Sequence, residues 1–278
     1  MDVPTPDHAA PAHPYGVRLV LAYDGTDFAG FQRQPSVRTV QRELERAASH
    51  LAGHPVSVRG AGRTDAGVHA LGQVAAFDVA RNIPASGWRK GLNSHLPPDV
   101  RVQEAHACEA GYAPRFDAMG KHYRYVVEVG QPKNPLLRNR AWQLPKPDVL
   151  DLAAMRAAAT QLLGRHDFRA FRSMDDVRDN SVRTIYALDL LEGFEGQPAL
   201  LAFDVHGDAF MKNMVRIMVG TLVDIGRGRR ALHNVPRMLG PSALRTDTGI
   251  TAPPQGLTLV RVSLGRQALQ RAQQAGER

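Results

Sequence analysis

Cysteine is nearly absent from this chain, because Cys108 is the only one among 278 residues. A single cysteine excludes an internal disulfide and a cysteine-based zinc cage. It is also typical of a reducing compartment, so we expect a cytoplasmic protein. No apolar run reaches the roughly 18–20 residues of a membrane span, and the best candidate is interrupted by Arg216. The opening MDVPTPDHAAPAHP has neither a basic start nor an apolar core, so we expect no signal peptide.

Several enzyme motifs are missing as well. The sequence has no H-E-x-x-H of metalloproteases, no H-x-E…C-x-x-C of zinc deaminases and no G-x-S-x-G nucleophile elbow. Gly60, Gly62 and Gly67 lack the G-x-G-x-x-G spacing of dinucleotide-binding proteins. No Lys-Ser or Lys-Thr pair follows them, which excludes a phosphate-binding P-loop at this position.

Positive charge is in excess. The chain has 35 Lys and Arg against 27 Asp and Glu, a formal net charge of +8 and a pI of about 10.0. This surplus favours a polyanionic partner, although it does not distinguish RNA from DNA or from a ribosome. Hydrophobic residues make up 43% and charged residues 22%, an ordinary globular balance. The length fits one large domain or two domains of about 100–150 residues.

The predicted elements occur in the same order in two parts of the chain. The first part has a strand at 17–23, a helix between Thr39 and Gly53, strands near 56–59 and 73–79, a helix around 88–96 and a strand at 100–105. The second has a strand at 122–129, a helix at 151–163, strands at 182–190 and 199–205, a helix at 211–225 and a strand at 257–262. Both parts follow the β-α-β-β-α-β order of ferredoxin-like and RRM-like folds.

This repetition predicts an α+β fold built from two such halves side by side. We expect one continuous, mainly antiparallel sheet with helices on one face and an open cleft on the other. The tetrapeptide Ala-Phe-Asp-Val occupies the same place in each half, at 76–79 and 202–205. The predicted segments are a disordered tail at 1–14, a first half at 15–109, a second half at 110–265 and a polar tail at 266–278.

Four glycines surround polar residues in the segment GAGRTDAGVHALG at 60–72. Glycine permits positive φ values and a close approach of other backbone, so a loop between two strands could present Asp65 at the mouth of a cleft. The same segment is compatible with an ordinary turn in which Asp65 binds the amides of its own turn. Composition alone favours the ordinary turn.

The helix at 211–225 is apolar nearly all round, with Arg216 as a lone cation in its middle. A helix that is apolar on every side is buried, and a buried guanidinium needs a carboxylate or several carbonyl groups. Arg216 therefore either extends to the surface or pairs with a carboxylate of the other half, for which Asp65 is the best-placed candidate. Three methionines at helical spacing are interpreted as core residues and not as metal ligands: Met211, Met214 and Met218.

Tyr123 and Tyr125 lie on one face of a predicted strand. Paired aromatic residues on a sheet usually pack against their neighbours, but beside basic residues they could also stack an unpaired base. Basic residues recur on predicted loops of both halves, which favours a long cleft over one local patch. The candidate nucleic-acid contacts are Arg33, Arg59, Lys121 and Arg124.

Taken together, these segments resemble the bacterial TruA family of tRNA pseudouridine synthases. The resemblance covers nearly all of 17–265. It includes YDGTDFAGFQRQ at 23–34, TVQRELERA at 39–47, GAGRTDAGVHALGQVAAFD at 60–78, LNSHLPPDV at 92–100, KHYRYVVEV at 121–129, LLGRHDFRAFR at 162–172, DAFMKNMVRIMVGTLVDIGRG at 208–228 and GLTLVRV at 256–262.

The resemblance implies an isomerase that converts uridine to pseudouridine in the tRNA anticodon arm, at positions 38, 39 and 40. It implies no metal ion or organic cofactor, and a homodimer whose two clefts bind the tRNA. It also implies that Asp65 acts as nucleophile or base, that Tyr123 stacks on the target base and that Arg216 pairs with Asp65. The candidate substrate-binding residues are Arg63, Thr64, His69, Gln73 and Tyr123.

One segment departs from the family pattern. FRSMDDVRDN at 171–180 contains Asp175, Asp176 and Asp179, and acidic side chains beside an RNA groove would repel phosphates. Two other functions stay open at this point. A non-catalytic RNA-binding or RNA-chaperone protein with two RRM-like folds would explain the charge and topology, but not the R-T-D loop. An RNA N-glycosidase that releases uracil is the alternative among enzymes.

Overall fold

The computed structural model describes residues 13–130, 132–145, 149–176 and 179–265. The predicted tail at 266–278 and nearly all of the tail at 1–14 lie outside the described residues. The strands are β1 Tyr15–Tyr23, β2 Arg59–Gly60, β3 His69–Val79, β4 Val100–Cys108, β5 Ala118–Glu128, β6 Trp142–Gln143, β7 Gly164–Asp167, β8 Val182–Glu192, β9 Leu200–Gly207 and β10 Leu257–Leu264. The α-helices are α1 Val40–Ala52, α2 Ala85–His95, α3 Pro114–Asp117, α4 Leu152–Gln161 and α5 Met214–Gly226.

The strands form one sheet in the order β4-β1-β3-β10-β5-β9-β8-β7, while β2 pairs with β3 and β6 with β5. Along this path, β3 and β10 are the one parallel pair between described strands, and the others are antiparallel. The first half has the order β4-β1-β3-β2 and the second has the equivalent order β10-β5-β9-β8. The predicted α+β fold, with two β-α-β-β-α-β units in a continuous sheet, is confirmed.

Local signals place the first helix correctly. The Thr39 hydroxyl accepts a hydrogen bond from the Arg42 backbone N–H, and Gly53 ends α1 in the left-handed region at φ 75°. Other element boundaries in the structure differ from the predicted ones. The predicted strand near 56–59 is reduced to the two residues of β2, and β7 was not predicted because GRHD has no apolar alternation.

The helices of the first half cover one face of the sheet. Phe77 of β3 projects from this face and packs edge-on against Trp88 of α2, with ring centroids 5.2 Å apart. Val17 of β1 pairs with Phe77. Because side chains alternate along a strand, Tyr23 at the end of β1 projects from this helix-bearing face as well.

The same face continues into the second half. Ala70 of β3 pairs with Tyr23 on one side and with Leu259 of β10 on the other. Leu259 in turn pairs with Tyr123 of β5. Directly paired residues project to the same side, so Tyr23 and Tyr123 share the helix-bearing face. Sequence reasoning placed the cleft on the opposite face. The structure instead places these tyrosines on the helix side, where the two halves meet.

No helix within the described parts of the chain is both long enough and apolar enough to span a membrane.

Candidate active site

Asp65 lies in the turn that connects β2 with β3, and a neighbouring segment fixes the shape of this turn. Phe31 donates its backbone N–H to the Thr64 carbonyl at 3.1 Å, and Gly67 donates to the Phe28 carbonyl at 3.3 Å. Gly30 has a φ of 99°, and a side chain there would lie 2.7 Å from the Thr64 carbonyl oxygen. Glycine is therefore needed where the two segments touch, and Asp65 is presented from a turn with a defined backbone.

Three of the predicted substrate-binding residues are buried and form hydrogen bonds in or beside the turn. The Thr64 hydroxyl lies 2.8 Å from the Tyr23 hydroxyl. His69 Nδ1 accepts from the Gly25 backbone N–H at 3.0 Å, and its Nε2 lies 3.1 Å from the Gln255 carbonyl oxygen. The Gln73 amide donates to the Gly62 carbonyl at 3.0 Å. All three side chains are buried. This placement favours positioning of the turn over direct contact with a substrate.

Arg63 differs from these three residues. It is exposed, and no hydrogen bond or salt bridge involves its side chain within the described ranges. A guanidinium directly before the Thr64–Asp65 pair is therefore available to an incoming ligand. Of the predicted substrate-binding residues in this turn, it is the one whose placement suits direct binding of an anion.

Arg216 lies in the first turn of α5 and reaches towards Asp65 without a direct salt bridge to it. Its Nε donates to the Ala252 carbonyl at 2.7 Å, and its Nη1 donates to the Asn213 side-chain oxygen at 2.7 Å. Both partners belong to the second half. The direct Asp65–Arg216 pair expected from the sequence is not formed among the described residues, because neutral oxygen acceptors already satisfy the guanidinium. Its charge still acts on Asp65 through space.

Opposing effects set the pKa of Asp65. Burial raises it above the usual aspartate value, and this effect is the largest. The charges of Arg216 and Lys212 and the backbone amide of Asn213 lower it, whereas Asp175 raises it. Asn213 precedes α5 with a φ of 63°, so this amide belongs to the positive end of the helix dipole. Burial and nearby positive groups shift the pKa of this carboxyl in opposite directions. A carboxyl in such surroundings is suited to nucleophilic or proton-transfer chemistry.

Tyr123 completes the site from β5. Its side chain is 7% exposed, and its ring packs edge-on against Phe210 at 5.1 Å. Burial raises the pKa of Tyr123, and the nearby Tyr23 and Asp65 raise it further. Burial likewise raises the pKa of Tyr23 to about 12. Both hydroxyls therefore stay protonated at neutral pH, beside the Asp65 carboxyl.

The predicted nucleic-acid contacts fall into two groups. Lys121 is at the site, because a side chain at Gly62 would collide with its ammonium group. The other three are engaged elsewhere. The exposed Arg33 pairs with Glu45 at 3.2 Å, Arg59 forms two hydrogen bonds with Asp78, and Arg124 forms two with Asp204 on the face opposite the helices. The last two placements favour a structural role for Arg59 and Arg124.

Sequence reasoning did not single out four contributors to this site. The sequence predicts Tyr23 only as part of a strand face, and Lys212 and Asn213 only as residues of the helix at 211–225, which in the structure begins at Met214. The Ala252 carbonyl has no signature at all in the sequence, because every residue carries the same group. A signal did exist for Asn213, since asparagine is among the few residues that readily adopt a positive φ at a helix start.

Comparison of the sequence with known proteins identifies a family. The family model described as tRNA pseudouridine synthase matches residues 19–117 and 158–263, which include Asp65 and Arg216, while Tyr123 lies between the two matched ranges. The chain belongs to the tRNA pseudouridine synthase family. Proteins named tRNA pseudouridine synthase A are close in sequence. The one from Geobacter sulfurreducens is 45% identical over 246 residues, which are 88% of this chain and 98% of that protein.

Other bacterial relatives give the same result. The tRNA pseudouridine synthase A of Myxococcus xanthus is 46% identical over 246 residues, or 88% of this chain and 91% of that protein. The one from a Geobacillus species is 41% identical over 247 residues, covering 88% and 97%. As a tRNA pseudouridine synthase, the protein is an isomerase that acts on uridine in tRNA. The resemblance noted in the sequence is therefore confirmed.

Proposed function

We propose that this synthase modifies uridines 38, 39 and 40 in the anticodon arm of tRNA, with Asp65 as the nucleophile or base. The observation that carries the role of Asp65 is the convergence on its carboxyl of groups from both halves, whereas the positions 38, 39 and 40 follow from the family resemblance. The turn before β3 supplies the carboxyl, β5 supplies Tyr123, and the start of α5 supplies a positive field.

The reaction breaks the bond between the ribose C1′ and N1 of uracil, turns the base and joins C5 to C1′. C5 loses a proton and N1 gains one, so the product is an isomer of the substrate. Charge develops on the ribose as the first bond breaks, and a carboxylate can stabilise it or bond to it. The base must first leave its stack, at a cost of a few kcal/mol. Stacking against the Tyr123 ring would return part of this cost, since such contacts contribute about 1–3 kcal/mol per base.

We further propose that the enzyme is a cytoplasmic homodimer that binds tRNA across two such sites. The excess of positive charge and the exposed Arg63 beside Asp65 support binding to the phosphate backbone. The single cysteine supports a reducing compartment.

Product analysis tests the proposal directly. An unmodified tRNA transcript is incubated with the enzyme, digested to nucleosides and separated by chromatography. We expect pseudouridine. Free uracil would instead identify an N-glycosidase, and unchanged RNA would identify a binding protein. Transcripts that keep a single uridine at position 38, 39 or 40 then map the site. Pseudouridine formed only outside these positions would contradict the anticodon assignment.

A further inference from the structure

Residues 173–176 of the acidic segment that departs from the family pattern lie against the start of α5. Ser173 donates its backbone N–H to the Lys212 carbonyl at 3.1 Å. The Lys212 backbone N–H donates to the carboxylate of the buried Asp176 at 3.0 Å. The Lys212 ammonium donates to the Asp175 carboxylate at 2.5 Å. The segment that should repel RNA is thus attached to the residue directly before Asn213, whose amide acts on Asp65.

The outer Asp175–Lys212 pair is open to solvent, unlike the backbone contact of Asp176. The two side chains are 63% and 45% exposed. Exposed ion pairs contribute little to folding, about 0–1 kcal/mol, because water and salt compete for both partners. Another anion can therefore replace Asp175 on the ammonium group with little loss of stability.

This pair is also close to the reacting group. Lys212 lowers the pKa of Asp65, Asp175 raises it, and Asp65 in turn acts on Lys212. In every nucleotide, the flanking phosphates are attached to the same ribose whose C1′ forms the glycosidic bond. A uridine whose C1′ faces Asp65 therefore brings phosphate oxygens into the region where Lys212 and Asp175 act on Asp65.

We propose that Lys212 binds a backbone phosphate next to the target uridine, and that Asp175 occupies the place of this phosphate in the free enzyme. The inference rests on the proposed function, since it names the group that the same site binds. Lysine suits the exchange because its ammonium is a compact charge on a flexible stem and can turn from one anion to another. Asp176 keeps the backbone of Lys212 in place while the side chain changes partner.

Two other roles would give different results. If the pair only fastens the acidic segment, removing either partner affects folding more than RNA binding. If Asp175 acts only by general repulsion of RNA, its removal helps binding equally whether or not Lys212 is present. Exchange on one ammonium group requires that the effect of Asp175 depends on Lys212.

A double-mutant cycle measures this dependence. Asp175→Asn, Lys212→Met and the double variant are prepared in an Asp65→Asn background, so that the RNA stays unreacted. Affinity for an unmodified tRNA transcript is measured at several salt concentrations, and thermal melting checks folding. We expect Lys212→Met to weaken binding roughly five- to tenfold, as for the loss of one hydrogen bond of ordinary net strength. The salt slope should decrease by about 0.7–0.9, as for one lost phosphate contact.

Asp175→Asn should tighten binding about threefold or more when Lys212 is present, and by less than about twofold when it is absent. With Asp65 restored, the changes should be larger in KM than in kcat. Glu192→Gln is the matched control, because Glu192 pairs with Arg156 at 2.5 Å with similar exposures of 53% and 48%. This control should change neither the affinity nor the salt slope.

An unchanged affinity and salt slope in Lys212→Met would overturn the inference, as would equal tightening by Asp175→Asn in both backgrounds. Failure of the proposed function has a separate signature, because the wild-type enzyme would then form no pseudouridine at positions 38–40 in the product analysis.

Discussion

The tetrapeptide Ala-Phe-Asp-Val has the same structural role in both halves. Phe77 and Phe203 are fully buried. Phe77 lies in β3 and Phe203 in β9, the third strand of each β-α-β-β-α-β unit. The neighbouring aspartates project from the opposite face, and each binds an arginine through both carboxylate oxygens. The pairs are Asp78 with Arg59 and Asp204 with Arg124. In each half, one phenylalanine anchors the sheet on one side and one ion pair on the other.

The halves differ in what surrounds this shared frame. Arg59 comes from β2, the last strand in the order β4-β1-β3-β2, whereas Arg124 comes from β5, an internal strand of the order β10-β5-β9-β8. The turn before β3 carries Asp65, while the corresponding turn before β9 carries Glu195, which is exposed and acts on Arg124. One repeat supplies the acid from a turn, and the other supplies the positive field from a helix. The repeated fold sets the frame, and the proposed catalytic groups lie where the repeats differ.

The largest expected effect contrasts the two turns. Asp65→Asn should reduce turnover by about a thousandfold or more, because the amide can neither attack nor take a proton. It should leave tRNA affinity nearly intact, since phosphate contacts dominate binding. Glu195→Gln makes the same chemical change in the corresponding turn of the second half and should leave turnover nearly unchanged. Single-turnover formation of pseudouridine measures both. A comparable loss in the two variants would show that the halves are not functionally distinct.

The next effect concerns the contribution of α5. Arg216→Lys should lower turnover by about a hundredfold, because lysine cannot bond to the Ala252 carbonyl and the Asn213 side chain in one planar arrangement. The positive charge would then no longer be fixed relative to Asp65. The loss should appear in kcat more than in KM. If the lysine variant kept the wild-type kcat, a positive charge at residue 216 would be sufficient for turnover. The planar geometry of the guanidinium would then be irrelevant.

A smaller loss is expected at β5. Tyr123→Phe keeps the ring that would stack on the base but removes a hydroxyl beside Asp65, so tRNA binding should persist while turnover falls by about ten- to a hundredfold. Tyr123→Ala, which also removes the ring, should weaken engagement of the target base as well. Stopped-flow binding to a tRNA with a fluorescent base at position 39 separates the two effects. Full turnover in the phenylalanine variant would show that Tyr123 contributes only its ring and that the hydroxyl is not needed.

The smallest effect tests what the halves share. Asp78→Asn and Asp204→Asn should each destabilise the fold by about 1–3 kcal/mol, because each leaves a partly buried arginine without its carboxylate. Burial would raise the pKa of Asp204, but hydrogen bonds from Arg124 and His122 outweigh it and lower the pKa. Wild-type stability should therefore decrease as acid protonates Asp204, and denaturant unfolding of Asp204→Asn should depend less on pH there. A steeper acid dependence in the variant would reverse this interpretation.

The sequence predicts the frame better than the site. Periodicity and caps are local properties, so Thr39 and Gly53 bracket α1 as expected, and the repeated order of elements gives the sheet. The buried charge of Arg216 correctly pointed to a partner, but the partners that bind it are a backbone carbonyl and an asparagine. Contacts of this kind depend on how distant segments pack. For the same reason, the sequence could not show that Asp175 and Lys212 meet near Asp65, or which face of the sheet carries the site.

The position of β10 has a consequence for the time at which the enzyme becomes active. Among the described strands, β10 is the one that joins the halves, since it lies between β3 and β5. A ribosome makes the chain from its amino end, so both neighbours exist before β10 does. Until residues 257–264 have emerged, the turn with Asp65 and the strand with Tyr123 have no common neighbour in the sheet. A nascent chain shorter than this lacks the strand that brings the two parts of the proposed site into one sheet, and we expect it to be inactive.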